Sequence, residues 1–157
     1  RVKAIRDILD NNKFEKIPIF PYSVKYNSAF YGPFREAAKS SPNFGDRKTY
    51  QMNFKNSEEA INEVKLDINE GADVIIIKPA ISYLDIIYRI KQKFNVPIIA
   101  YNVSGEYTMV KSASEKNFIN GIETILEILH SIKRSGANAI ISYHALEVAK
   151  YLKANDL

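Results

Sequence analysis

The chain contains no cysteine, so disulfides and thiolate metal sites are excluded within its 157 residues. That absence fits a reducing compartment. No apolar run approaches the ~18 residues that a bilayer-spanning helix needs, and no membrane partner is expected. No spacing of His, Asp and Glu makes a metal cage, and neither a G-x-G-x-x-G stretch nor a Walker loop occurs. Charge of one sign is never blocked: the net charge is +4 with the lysines scattered, and no nucleic-acid partner is expected. No secretory leader is visible. The chain opens in a charged, helix-like pattern, Arg1-Val2-Lys3-Ala4-Ile5-Arg6-Asp7-Ile8-Leu9-Asp10, without an initiating Met, which is expected of a piece of something longer.

What is there is an ordinary globular composition, 46% apolar and 25% charged, enough for a single domain with a real core over residues 1–157. Val2, Ile5, Ile8 and Leu9 share one helical face. Ile17-Pro18-Ile19-Phe20 reads as a first short strand, and Tyr26 to Ala38 as a segment helical at its end, broken at Gly32-Pro33. Ser41 to Asp46 is turn-rich. Asn56 or Ser57 caps a helix that runs to Gly71, a natural residue just past a helix end. Val74 to Ile77 is a second strand, Ser82 to Lys93 a helix with Leu84, Ile87 and Ile90 inward, and Val96 to Tyr101 a third strand. Helices follow near 106–116 and 122–134, then a fourth strand at Ala139 to Tyr143 and a closing helix from His144 to Lys153. Two echoes, Lys13 to Ile19 with Lys93 to Ile98 and Gly71 to Ile76 with Gly136 to Ile141, each read as a helix exit followed by a strand. The expected class is α/β, with four parallel strands alternating with helices. A small open sheet and half of a (β/α)8 barrel both fit the pattern.

In either architecture, sites gather at the carboxyl ends of the strands. Tyr22, Ser23 and Lys25 stand there, with Lys78, with Tyr101, Asn102, Ser104 and Gly105, and with Ser142, Tyr143 and His144. Val74-Ile75-Ile76-Ile77-Lys78-Pro79-Ala80 carries an ammonium group to the end of a fully apolar strand. Desolvation and a second nearby cation both disfavour the charged amine, and a neutral amine attacks carbonyls to form a Schiff base. The competing reading of Lys78 and Lys25 is a snorkelling lysine with its head in solvent. Arg35 and Arg47 lie near loops, where a guanidinium fork suits a carboxylate or phosphate. A Ser104, His144, Asp85 triad can be drawn, but nothing in the spacing supports it.

Ser23-Val24-Lys25-Tyr26-Asn27-Ser28-Ala29-Phe30-Tyr31-Gly32-Pro33-Phe34-Arg35 resembles the first lysine segment of the delta-aminolevulinic acid dehydratases, or porphobilinogen synthases. So do Asp46 to Met52, Gly71 to Asp85, Ala100-Tyr101-Asn102-Val103-Ser104-Gly105-Glu106-Tyr107, and Lys133 to Ala145. The resemblance runs in order over nearly the whole chain and is to the C-terminal half of that family's TIM (β/α)8 barrel. It implies condensation of two 5-aminolevulinate molecules to porphobilinogen with loss of two waters, an early step toward haem. It implies that Lys25 and Lys78 are the Schiff-base lysines, Lys78 on the propionate-side substrate and Lys25 on the acetate-side one. Ser104 and Tyr143 would grip one carboxylate, Arg35, Arg47 and Gln51 the other, with Tyr31 and Phe34 lining the pocket. Ser41 to Tyr50 would form a lid that excludes water.

The resemblance also implies an allosteric magnesium through Glu63, against which stands a plain solvated helix carboxylate. Zinc would enter only through a cysteine cluster in the N-terminal half, which this chain does not contain. A homo-oligomer, an octamer in relatives, and a cytoplasmic location (an organelle stroma in a eukaryote) are implied for the full-length protein. Half a barrel leaves two open edges and an exposed inner face. Two alternatives follow: a non-catalytic remnant or split subunit that needs a partner half, and a class I aldolase of the same barrel class, which needs only one such lysine.

Overall fold

The computed structural model describes residues 1–39 and 49–156. Its frame is a four-stranded, all-parallel sheet: β1 (Val24–Lys25), β2 (Ile75–Lys78), β3 (Ile98–Asn102) and β4 (Ala139–Ser142), in the spatial order β1-β2-β3-β4. Around it run α1 (Val2–Asn11), α2 (Gly32–Ala37), α3 (Glu58–Asn69), α4 (Leu84–Lys93), α5 (Ser104–Glu115), α6 (Gly121–Arg134) and α7 (Ala145–Ala154). Single 3-10 turns at Ala29–Tyr31 and Ile81–Tyr83 lead into α2 and α4. Sequential parallel order separates the two architectures. A doubly wound sheet reverses its order at a switch point, whereas crossovers of one hand in unbroken order put every helix on one face, as in an arc of a barrel.

Strand periodicity then assigns the two faces. Val24 pairs with Ile77, which pairs with Ala100, which pairs with Ile140; Ile75 pairs with Ile98. These residues face the helices and form the core with Ala60, Ile61 and Val64 of α3, Ile86, Ile87 and Ile90 of α4, and Ile132 of α6. Each fully buried isoleucine contributes ~2 kcal/mol through the hydrophobic effect. The alternate residues point to the other face: Lys25 beside Lys78, then Ile76, Ile99 and Tyr101, then Ala139 and Ile141. Exposure on that face rises toward β4, where Ile141 is 38% exposed.

Local chemistry fixes the element ends. Gly71 (φ +100°) and Gly136 (φ +121°) follow α3 and α6 in the left-handed region, as their shared Gly-Ala context leads one to expect. Asn56, one residue before the geometric N-cap Ser57, supplies the capping oxygen of α3, accepting from the N–H groups of Glu58 (3.0 Å) and Glu59 (3.3 Å). Gly32-Pro33 opens α2 rather than breaking a helix, because a proline at the first turn sacrifices no helical bond. Ile86 rather than Leu84 is the fully buried partner of Ile87 and Ile90 on α4.

The first strand corrects the sequence expectation. Residues 17–20 form no strand; the edge strand is Val24–Lys25. Pro18 and Pro21 have no N–H, so the segment cannot run a ladder. It still lies along β2 through isolated bonds, Asp73 N–H to the Ile19 carbonyl (3.1 Å) and Ile76 N–H to the Pro21 carbonyl (3.0 Å). Ile19 N–H is taken by the Asp73 carboxylate (2.7 Å).

Candidate functional site

The two lysines are direct register partners on adjacent strands, Lys25 opposite Lys78, and both point to the inner face. Parallel strands lie ~4.8 Å apart, so the two side chains rise together into one pocket. They share a ring: the Tyr22 centroid is 5.5 Å from Lys25 Nζ and 5.4 Å from Lys78 Nζ. Lys78 Nζ also lies 4.2 Å from the Tyr101 centroid, 5.2 Å from Tyr31 and 5.8 Å from Phe34. Its head therefore sits among aromatic faces, where quadrupoles favour a cation. Burial pushes the Tyr101 phenol up to about 12, and the neighbouring Tyr143 phenol acts in the same direction. Burial raises the Tyr31 phenol too, and its O–H donates to the Lys78 carbonyl (3.1 Å).

The pocket around the lysines encloses about 380 Å³, part of it open to solvent, and is lined by Tyr31, Phe34, Arg35, Gln51, Ser104 and Tyr143 as well. With Lys25 and Lys78 those are the residues the resemblance singles out, drawn from β1, β2, the 3-10 turn before α2, α2, the segment after it, α5 and the turn after β4. Arg47 lies outside the described residues, as does nearly all of the Ser41 to Tyr50 lid. Gln51 is 7% exposed, and neither its Oε1 nor its Nε2 meets a hydrogen-bond partner among the described residues. Arg35 stacks over Tyr31 (5.4 Å), and its Nε and Nη2 are likewise buried and unpartnered. Buried donors without acceptors carry a desolvation cost that an anionic group in the pocket would offset. Ser104 Oγ accepts the Phe34 N–H (3.1 Å) and reaches the Phe30 carbonyl (3.4 Å), so its hydroxyl tethers the start of α2 to the pocket rim.

Glu106 was not singled out from the sequence, and its part is central. It is fully buried. Oε1 accepts from the N–H groups of Ala80 (3.1 Å) and Ile81 (2.6 Å); Oε2 accepts from Val103 N–H (2.6 Å) and Asn102 Nδ2 (3.3 Å). At the third position of α5 it forms half of a capping box; the other half is missing because Val103 has no acceptor. Burial raises its carboxyl above the usual range, against the opposing pull of these four donors. A glutamate four residues past a strand end is the signal that could have marked it.

Glu63 sits away from this pocket, exposed on α3. Its carboxyl is raised, first by partial burial and then by the charges of Asp67, Glu59 and Glu70. Among the described residues no group of three or more His, Asp or Glu could hold a metal ion. Magnesium keeps several waters and needs only one or two protein carboxylates, so Glu63 would be this chain's contribution to such a site, with water supplying the rest.

An all-parallel barrel-type sheet that carries two adjacent lysines at its carboxyl rim, boxed by aromatic rings and flanked by buried donors that meet no acceptor among the described residues, defines a class: an α/β protein with a cationic, aromatic-walled pocket at the end of its strands. The chain belongs to the delta-aminolevulinic acid dehydratase family, whose model matches residues 1–151. It is 56% identical over 152 residues to the delta-aminolevulinic acid dehydratase of Synechocystis sp., covering 97% of this chain and 46% of that protein. The Bacillus subtilis enzyme of the same name is 55% identical, with 96% and 47% covered. A solved structure of the Toxoplasma gondii enzyme, in complex with the reaction product porphobilinogen, superposes with a TM-score of 0.94 at 48% identity, over 96% of this chain and 43% of that one. The chain thus spans about half the length of the curated relatives it matches. The fold is that of the family's TIM barrel over its matched half.

Proposed function

We propose that this chain is the C-terminal half-barrel of a porphobilinogen synthase, a cytoplasmic dehydratase that condenses two 5-aminolevulinate molecules to porphobilinogen with loss of two waters. The carrying observation is the direct register pairing of Lys25 and Lys78 inside one aromatic pocket. Attack needs each lysine as the neutral amine; it adds to a substrate ketone, and one water leaves as each imine forms. The acetate-side imine on Lys25 acidifies its neighbouring carbon. Loss of that proton gives an enamine, which attacks the propionate-side imine carbon on Lys78 and forms the carbon–carbon bond. The amine of the propionate-side substrate then adds to the acetate-side imine carbon and displaces Lys25. Elimination of Lys78 with loss of the ring proton completes the pyrrole. Two waters leave in all, and both lysines return.

Arg35, Gln51 and Arg47 hold the acetate-side carboxylate in this reading; Ser104 and Tyr143 hold the other. The buried atoms of Arg35 and Gln51 that meet no partner among the described residues support the first assignment. The place of Ser104 and Tyr143 in the lining of the pocket that holds Lys78 supports the second. Magnesium, if the full-length protein uses it through Glu63, draws its remaining ligands from water or from another chain, and no step here depends on it. The test is reduction with borohydride in the presence of 5-aminolevulinate, with the adduct located by peptide mass spectrometry and Lys78→Ala as control. An adduct on Lys78 in the chain, or in the chain joined to the rest of the barrel, supports the reading. No adduct in either preparation overturns it.

A further inference from the structure

The Glu106 network does more than cap a helix. Ala80 and Ile81 follow Lys78 by two and three residues, and Val103 immediately precedes Ser104, so one carboxylate fastens the end of β2 to the end of β3. Asn102, which donates to Glu106, accepts at Oδ1 from Ser142 Oγ–H on β4 (2.8 Å). Ser142 Oγ in turn accepts the His144 N–H (3.1 Å), closing the turn that carries Tyr143. Glu106 and Asn102 are 0% and 1% exposed, so no water can substitute for a lost partner from bulk. Buried, fully bonded networks of this kind are stiff, and bonds to a carboxylate are the strong members. The imine lysine and both hydroxyls assigned to the substrate carboxylate are therefore tied to one set of side chains.

We infer that Glu106, acting through Asn102 and Ser142, is a positioning residue that sets the separation between the Lys78 imine and the Ser104–Tyr143 carboxylate grip, and so selects keto acids by the number of carbons between ketone and carboxylate. The inference rests on the imine chemistry proposed above. It gives Glu106 a specificity role without contact to substrate, since misplacement of ~1 Å in such a site costs about a hundredfold in rate.

The experiment measures borohydride-trapped adduct on Lys78 in the full-length protein. The probes are levulinate (the substrate without its amine), acetoacetate, the next higher homologue of levulinate, and butan-2-one, which has no carboxylate. Wild-type protein is expected to trap levulinate about tenfold or more faster than the other three. In Glu106→Gln the amide nitrogen faces the Val103 N–H, and the tie between β2 and β3 is lost on one side. That variant should trap butan-2-one within about twofold of wild type but lose most of its preference for levulinate over its homologues. Ser142→Ala, which leaves Glu106 and its bonds intact, should erode the same preference by a smaller factor and serves if Glu106→Gln does not fold. Retained preference in the variants overturns the inference, as does a parallel fall for butan-2-one and levulinate, which marks a purely structural role. No adduct on wild-type Lys78 overturns the imine reading itself, and the inference with it.

Discussion

At the scale of single residues, the nearest ring to Lys78 is the one that matters most. Tyr101 at 4.2 Å offers its face to a cation, whether ammonium or protonated imine, and a cation–π contact of this kind is worth ~1–2 kcal/mol when desolvated. Because its phenol is pushed up to about 12, the ring stays neutral across ordinary pH and keeps that face. Tyr101→Phe should therefore hold the Lys78 adduct near wild-type yield, and Tyr101→Leu should lower it by about tenfold, measured by reductive trapping. Equal yields in both variants would remove the ring from the chemistry. His144 supplies a pH prediction. It is 2% exposed, and burial lowers its proton affinity below the ordinary value near 6.5; Lys111 acts in the same direction, while Glu147, 3.6 Å away, opposes. A depressed folded-state value means that the unfolded chain takes up the proton first. The stabilising contribution is present above about pH 6.5 and is lost as pH falls through the folded value. Urea midpoints should fall between about pH 7 and pH 5 in the wild type, and fall less in His144→Asn. The convergence of the lysines and the rim hydroxyls on one pocket was legible in the sequence because motif and strand-end position coincide, whereas Arg35 and Gln51, on α2 and the segment after it, were marked by the motif alone. Glu106 was not, because its role lies in three backbone N–H groups that only the folded chain brings to it.

At the scale of elements, one contact decides whether α2 can deliver Tyr31, Phe34 and Arg35 to the pocket. A Cβ on Gly105 would stand 2.6 Å from the Phe30 carbonyl oxygen and 2.7 Å from its Cα, both backbone atoms that cannot rotate away. Glycine is required there by close approach rather than by conformation. Gly105→Ala should push the 3-10 turn off the start of α5, cost about 1–3 kcal/mol in denaturant unfolding, and weaken substrate capture more than it slows a bound substrate. A stability within about 0.5 kcal/mol of wild type would show that α2 rides free of α5. The helices were readable from their 3.6-residue periodicity and their glycine exits. The first strand was not: apolar content suggested residues 17–20, but two prolines remove the donors a ladder needs, and the sheet edge falls instead at Val24 and Lys25. That shift moves Lys25 from beyond a strand to its last residue, where register alone places it beside Lys78.

At the scale of the molecule, the apolar surface is distributed as half a closed structure would leave it. Ile5 and Ile8 of α1 are 50% and 64% exposed, so the helical face read from the sequence is real but only Val2 on it is buried. Leu146 of α7 at the other end and Ile141 on the inner face are open as well. β4 keeps one edge unpaired among the described residues, and the outer edge of β1 is met only at Met52, whose N–H donates to the Lys25 carbonyl (3.1 Å); parallel sheets with exposed faces and edges are rare because water and other chains compete for them. A second half-barrel of four β/α units satisfies both edges and the inner face at once, whereas a second copy of this chain satisfies them only if its own β1 and β4 can meet their counterparts in the same shear. The isolated chain should therefore bind an apolar dye and show a concentration-dependent mass in sedimentation. Adding the complementary half should give a one-to-one complex that no longer binds the dye and that traps 5-aminolevulinate on Lys78 faster than the chain by itself. A chain that sediments as a dye-silent monomer, and ignores the other half, would mean that these faces are already satisfied and that the barrel is not completed in this way.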